Sequence, residues 1–172
     1  MACGFESHPG HKIMIKLRRF SLSDLEQGME IEKASFPNRE AWSRDYFESL
    51  YKIYPEGFIV AENRNEIIGY TIGLPRNDSA EIVSLAVSPD WRRKGIGTIL
   101  TNSLIDHFKE KGLKEISLCV RTKNKKGISF YQKLGFKILK TIKNYYRNGD
   151  DAYSMKLSLH LNPRSASPRS GI

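Results

Sequence analysis

The sequence predicts an α/β domain in which helices cover a mixed β-sheet, and three observations point there. Stretches of period-2 alternation and stretches of helical apolar periodicity succeed one another in the order β-α-α-β-β-β-α-β-α-β-β. The 172 residues, 40% hydrophobic and 27% charged, suit one globular domain able to bury a core without staples. No apolar run approaches the roughly 20 residues of a membrane span, and no internal repeat is present.

The elements follow from local signals. "MIKLRRF" (14–20) reads as a strand. Ser21 opens a helix with Asp24 at the capping-box position, and Leu22, Leu25 and Met29 mark its apolar stripe. The loop "SFPNREAW" (35–42) leads to a second helix from about Ser43 to Tyr51. "GFIVAEN" and "EIIGYTIGL" form a hairpin joined through Asn63-Arg64-Asn65, and "AEIVSLAVS" is a strand ending at Pro89. Ile96, Ile99, Leu100, Leu104 and Phe108 then recur at helical spacing until Gly112. "EISLCVRT" is a further strand. Ile128, Tyr131 and Leu134 share the face of a helix ending at Gly135. "FKILKTI" and "AYSMKLSL" finish as two strands around a tyrosine-rich loop.

Residues 14–159 are expected to form the single domain, with 1–13 a flexible extension and 160–172 a flexible Ser/Pro/Arg tail. The first residues lack the basic-then-apolar layout of a secretory leader. Cys3 and Cys119 make no disulfide framework, which suits a reducing, cytoplasmic setting. His8 and His11 are too few for a metal site, and no metal is expected. The formal net charge is +9, and 25 cations against 18 anions fall within residues 14–159. Such a domain favours RNA, an acidic protein or a phosphorylated cofactor, and charge alone does not choose among them.

The stretch "SPDWRRKGIGTIL" (88–100) narrows the choice. A strand–loop–helix junction offers backbone N–H groups and a positive helix end, and glycines let phosphate oxygens approach. Neither the dinucleotide fingerprint nor the P-loop fits these residues. The pattern R-x-x-G-x-G, Arg92 to Gly97, does fit a known signature. Some 27 residues past Gly97 follows "NKKGISFYQKLGF" (124–136). With both signatures at this spacing, residues 14–159 resemble the GNAT acetyltransferase superfamily.

That resemblance implies the GNAT acyltransferase fold, a mixed, mostly antiparallel central sheet flanked by helices, with acetyl-CoA as co-substrate. Arg92, Arg93, Lys94, Gly95, Ile96 and Gly97 would cradle the pyrophosphate. Asn124 would contact the pantetheine arm. Tyr131 would lie near the thioester sulfur as general acid. Backbone around Leu85, Ala86 and Val87, in the splayed fourth strand of the order above, would serve the carbonyl oxygen.

Acetyl transfer to an amine needs the amine deprotonated, the carbonyl oxygen stabilised and the departing thiolate protonated. Glu81 is the candidate base. Strand parity groups it with Val83, Leu85 and Val87, and an apolar face raises a carboxylate's pKa towards neutrality. Cys119 departs from the resembled pattern. It stands where ribosomal-protein alanine acetyltransferases have a glutamate base and some related enzymes a histidine. Read as a small semi-buried residue rather than an acyl carrier, it shifts the base role to Glu81, directly or through ordered water.

The acceptor is suggested by "NYYRNGDDAYSMKL" (144–157), which resembles a run in N-terminal protein acetyltransferases of the RimI type and the NatA catalytic-subunit type. In those families this loop and the one between the first two helices clamp a peptide's first residues. Tyr145 and Tyr146 would be one wall, and Phe36, Pro37 and Glu40 the other. The resemblance therefore implies an N-α-acetyltransferase acting on protein N-termini in a ternary complex. A ribosome or auxiliary subunit is open as a partner, and neither a membrane nor a specific nucleic acid is expected. Two other readings stand beside it: an enzyme of the same fold acting on lysine or a small polyamine, and a weakly catalytic ribosome- or RNA-associated binding module.

Overall fold

The anticipated order of elements is present, with one more strand at its start. The computed structural model describes residues 3–5, 13–37 and 40–159. Its strands are β1 (Cys3–Phe5), β2 (Ile13–Arg19), β3 (Phe58–Asn63), β4 (Glu66–Arg76), β5 (Ser79–Val87), β6 (Glu115–Arg121), β7 (Lys137–Ile142) and β8 (Ala152–Ser158). Its helices are α1 (Leu25–Ser35), α2 (Arg44–Ile53), α3 (Ile96–Glu110) and α4 (Lys125–Lys133). The additional strand β1 pairs antiparallel with β2, Cys3 opposite Ile15. His8, His11 and the segment 160–172 lie outside the described residues.

Local chemistry accounts for most boundaries. The Ser21 N–H donates to the Asp24 carboxylate at 2.8 Å, and Arg18 grips the same carboxylate at 2.7 and 2.8 Å. The first turn, Leu22–Asp24, is a 3-10 turn, which leaves Leu22 53% exposed. The expected stripe is thereby corrected: Leu25, Met29 and Ile31 are buried and Leu22 is not, because a turn of three residues rotates it off the α-helical face. Ser43 caps α2, its Oγ accepting from the Tyr46 N–H at 3.3 Å. Arg64 and Asn65, with φ of 50° and 68°, make the two-residue turn between β3 and β4. Gly112 and Gly135 follow α3 and α4 with φ of 77° and 96°, where left-handed backbone ends a helix.

The chain forms two compact units, Met1–Leu74 with Ile82–Leu104, and Pro75–Glu81 with Ile105–Ile172. In the first, the strands run in the order β1-β2-β3-β4-β5. Its core is an aromatic nucleus. Phe20 stacks on Phe58 at 4.1 Å, and Phe47 meets Phe58 and Tyr70 edge-on at 5.1 and 5.3 Å. Leu25, Met29, Ile31, Leu50, Val60 and Ile72 surround it. Each such buried side chain contributes about 1.5–3 kcal/mol.

In the second unit the order is β5-β6-β8-β7, so the last strand in sequence inserts between β6 and β7. β5 pairs in parallel with β6 from Ser79↔Glu115 to Glu81↔Ser117. β6 pairs antiparallel with β8 along its whole length, from Glu115↔Ser158 to Arg121↔Ala152. Alternation gives this sheet two unlike faces. Ile116, Leu118, Val120 and Met155 are buried on one. The other is polar, with Cys119, Ser154 and Lys140 in one cross-strand row. Among the described residues, no helix is long and apolar enough to cross a membrane.

Candidate active site

The residues singled out in the sequence fall into two groups, one in each unit. In the first unit β5 leads through a 3-10 turn, Pro89–Trp91, to the loop before α3. Arg93 and Gly95 both take left-handed backbone, φ 63° and 80°. A side chain at Gly95 would project into open space, with nothing within 4 Å of its Cβ. The first α3 bond joins the Ile99 N–H to the Gly95 carbonyl at 3.1 Å. The amides of Ile96, Gly97 and Thr98 therefore have no acceptor within the helix and stand at its positive end. Amides left over at a helix start, beside a glycine whose Cβ would meet open space, fit a pyrophosphate.

The cations beside it also make contacts of their own within this unit. The Arg92 Nε donates to the Val87 carbonyl at 3.0 Å and its guanidinium reaches Ser35 Oγ at 3.3 Å. Lys94 donates to the Asp90 carbonyl at 2.8 Å and lies 4.9 Å from the Trp91 ring centroid. Both side chains brace the loop, and Arg93 is exposed. Along β5, Ala80, Ile82 and Ala86 are buried, whereas Glu81, Val83, Leu85 and Val87 are half-buried, the parity expected.

A residue passed over in the sequence supports the loop between α1 and α2. Glu32 is 1% exposed, and its carboxylate accepts from the Trp42 N–H at 2.9 Å and from the Tyr70 hydroxyl. Burial pushes its pKa up, opposed by those two hydrogen bonds. Phe36 and Trp42 pack against the same core. The available signal was phase: Glu32 follows Leu25 and Met29 on one helical face, so a carboxylate replaces an apolar residue there.

The second unit holds Glu81, Cys119, Tyr131, Tyr145 and Tyr146. Glu81 pairs with Ser117 across β5 and β6, and its carboxylate accepts from Arg76 Nε at 3.3 Å. Its surroundings thus include a guanidinium and, across the strands, Ser117 and Lys156 in place of an apolar face. The Cys119 thiol and Tyr145 hydroxyl are near enough to act on each other's protons. Burial pushes the thiol above its ordinary pKa, and Glu81 and Lys140 also act on it. Burial first, then Cys119, pushes the Tyr145 hydroxyl up to about 12. The Tyr145 and Tyr146 rings meet at 5.0 Å and 81°.

Charge holds these tyrosines in place. The Arg121 guanidinium lies 3.8 Å from the Tyr146 ring centroid and pairs with Asp150 at 2.7 Å. Lys123 reaches the other Asp150 oxygen at 2.5 Å, and the Tyr146 N–H donates to the Asp150 carbonyl at 3.1 Å. Asp151 accepts from Lys143 at 2.7 Å and from the Asn144 N–H at 2.9 Å. Hydrogen bonds led by Lys123 hold the Asp150 carboxyl down at about 2.

Tyr131 packs against Phe130 and Phe136, ring centroids 5.0 and 5.6 Å away. Burial, then neighbouring Tyr146, keeps its hydroxyl protonated well beyond the ordinary phenol range. Asn124 is the N-cap of α4, its Oδ1 accepting from the Gly127 N–H at 2.9 Å. Among the described residues no group of three or more His, Cys, Asp or Glu could hold a metal ion.

A protonated phenol, a carboxylate and an anion cradle at a helix start are the parts of an acyltransferase that takes its acyl group from a phosphorylated carrier. Comparison with known proteins makes the assignment definite. Residues 25–136 match the acetyltransferase (GNAT) family, and the chain belongs to that family. An N-α-acetyltransferase of Sulfurisphaera tokodaii is 33% identical over 159 residues, which cover 84% of this chain and 93% of that protein. The crystal structure of Ard1 from Thermoplasma volcanium superposes with a TM-score of 0.81 at 29% identity, covering 85% of this chain and 98% of that one. Arabidopsis thaliana Naa50, solved with the bisubstrate analogue CoA-Ac-MVNAL, gives 0.73 at 28% identity, with 84% and 98% covered. The protein is an acetyltransferase with the mixed, mostly antiparallel open sheet of its family.

Proposed function

We propose that the protein is an acetyl-CoA-dependent N-α-acetyltransferase that acetylates the free N-terminal amine of other proteins. The observation on which this rests is the tyrosine loop. Tyr145 and Tyr146 are held by Arg121 and Asp150 beside Cys119, on the polar face of the sheet. A preset aromatic wall suits a backbone entering end-on, because each ring adds flat apolar surface and a hydroxyl without much entropy to lose. Phe36, Pro37 and Glu40, on the loop anchored by Glu32, form the opposing wall in this reading. The likeness to Naa50 bound to a CoA–peptide conjugate supports it.

Each step falls to a residue of this chain. The amides from Arg93 to Gly97 hold the pyrophosphate, and Asn124 turns its free amide edge to the pantetheine arm. Backbone at Leu85–Val87 stabilises the carbonyl oxygen as it gains charge. The N-terminal amine attacks the acetyl carbonyl directly in a ternary complex, forming the C–N bond as the C–S bond breaks. Glu81 takes the proton lost by the nitrogen, directly or through water, and Tyr131 gives its proton to the departing sulfur. The phenol protonated at every cellular pH is suited to that role. Cys119, held as a thiol, orients Tyr145 and carries no acetyl group. Residues 14–159 carry the catalytic machinery, and the enzyme works in the cytoplasm, with a ribosome or an auxiliary subunit open as a partner.

The test supplies purified protein with acetyl-CoA and two peptides, followed by mass. One has a free Ala or Ser N-terminus and no lysine. The other has a blocked N-terminus and an internal lysine. Acetylation of the first alone supports the reading. Acetylation of the second alone replaces it with lysine transfer, and acetyl-CoA binding without either product points to a non-catalytic module.

A further inference from the structure

The polar face of the second unit's sheet has a charge that the acetyl transfer does not use. The charge of the domain is unevenly divided. Residues 13–74 and 82–104 hold 11 cations and 11 anions, whereas residues 75–81 and 105–159 hold 14 cations and seven anions. Much of that excess is spent locally, Lys123 and Lys143 on the tyrosine loop and Lys156 on Glu115 at 2.7 Å. Lys137 and Lys140, both on β7, are exposed and have no ion-pair partner among the described residues.

Register fixes where these two ammonium groups stand. Ser154 of β8 is the cross-strand partner of Cys119 on one side and of Lys140 on the other. Lys137 pairs with Lys156, which pairs with Ser117, the partner of Glu81. Cross-strand partners point to the same face, so both lysines share the face of Glu81 and Cys119. Two strand spacings separate Lys140 from Cys119, about 10 Å. An extended chain covers that distance in about three residues.

We propose that Lys140, assisted by Lys137, selects acceptor proteins with acidic side chains at positions two to four, behind the amine that is acetylated. The inference rests on the N-terminal reading above. A chain whose amine lies at Cys119 and Tyr145 and whose next residues run out over β8 and β7 passes both ammonium groups. Asp or Glu there gains two exposed cations, and Lys or Arg meets repulsion. Because the lysines are solvated, the preference is modest and salt-sensitive.

The experiment compares kcat/KM, at saturating acetyl-CoA, for two peptides that begin with Ala and differ only at residues two to four. One carries Glu-Asp-Glu and the other Gln-Asn-Gln. At low salt the acidic peptide is expected to be favoured roughly fivefold, and the ratio to fall towards one in about 0.5 M salt. Lys140→Glu should invert the ratio and Lys137→Glu reduce it. Lys109→Glu, an equal charge change at the end of α3, should leave the ratio in place. A wild-type ratio near one overturns the inference while leaving N-terminal acetylation intact. So does a ratio that Lys140→Glu and Lys109→Glu alter alike, since that marks overall charge rather than this face. Failure to acetylate either peptide overturns the N-terminal reading and the inference together.

Discussion

Replacing Glu32 by Ala removes the acceptor for two donors at once. The Trp42 N–H at 2.9 Å loses its partner, and the Tyr70 hydroxyl, fully buried, is left with Ser84 Oγ at 3.4 Å. An orphaned buried donor costs about 1–3 kcal/mol, and the vacated volume adds to this. Relief of the buried carboxylate offsets part of it, which leaves a net destabilisation of about 2–4 kcal/mol. Glu32→Gln behaves differently. Its Oε1 accepts from Trp42, its Nε2 donates to the Tyr70 oxygen, and Tyr70 turns its hydrogen to Ser84, so the cost stays below about 1 kcal/mol.

The pH dependence separates charge from geometry. Burial raises the Glu32 pKa above its ordinary 4.5. The native state thus holds this proton more tightly than the unfolded chain. Its contribution to stability is complete below about 4.5 and is lost as pH rises through the folded value. Glu32→Gln should therefore gain on the wild type as pH increases. Urea midpoints at pH 5 and pH 8 measure this, and acceptor KM reports the loop. Glu32→Ala should raise KM for the peptide more than for acetyl-CoA. If Glu32→Gln proved as damaging as Glu32→Ala at pH 8, or if both KM values rose together, the network would not act as argued.

Three further outcomes follow from the same geometry. Tyr131→Phe keeps the ring contacts with Phe130 and Phe136 but removes the proton donor, so kcat should fall about 10²-fold with an unchanged urea midpoint. Gly95→Val puts a β-branched residue at φ 80°, so it should lose about 1–2 kcal/mol of stability and raise KM for acetyl-CoA; calorimetry and initial rates together check it. Asp150 has a folded pKa of about 2 against an ordinary 3.8, so its stabilisation of the tyrosine loop is present above about 4 and lost as pH falls towards 2. Asp150→Asn should flatten that acid limb and raise acceptor KM at neutral pH, as read from tyrosine fluorescence and rates.

The outline of the molecule was legible in the sequence because its signals are local. Ser43 capping α2, Gly112 and Gly135 past α3 and α4, and the Arg64-Asn65 turn all act within a few residues. The same holds for the loop at Gly95 and for the helix face carrying Tyr131. Leu22 shows the limit, since its class fitted the stripe and the tighter first turn moved it outward.

What tertiary structure decided depends on contacts between distant residues. The insertion of β8 between β6 and β7 follows from pairing such as Glu115↔Ser158, which no neighbouring residue announces. That pairing alone puts Lys140 in a row with Cys119, and Asp150 within reach of Arg121. Glu32 looked like one more helix-surface carboxylate until Trp42 and Tyr70 closed over it. The cations of the phosphate loop were marked by type, but only the approach of Val87 and Ser35 to Arg92 made it a brace. Periodicity and turn chemistry determine which segments become helices and strands, because their energies are summed over adjacent residues. Which polar groups lose water and which gain a partner is settled when the segments pack, because desolvation is a property of the assembled site.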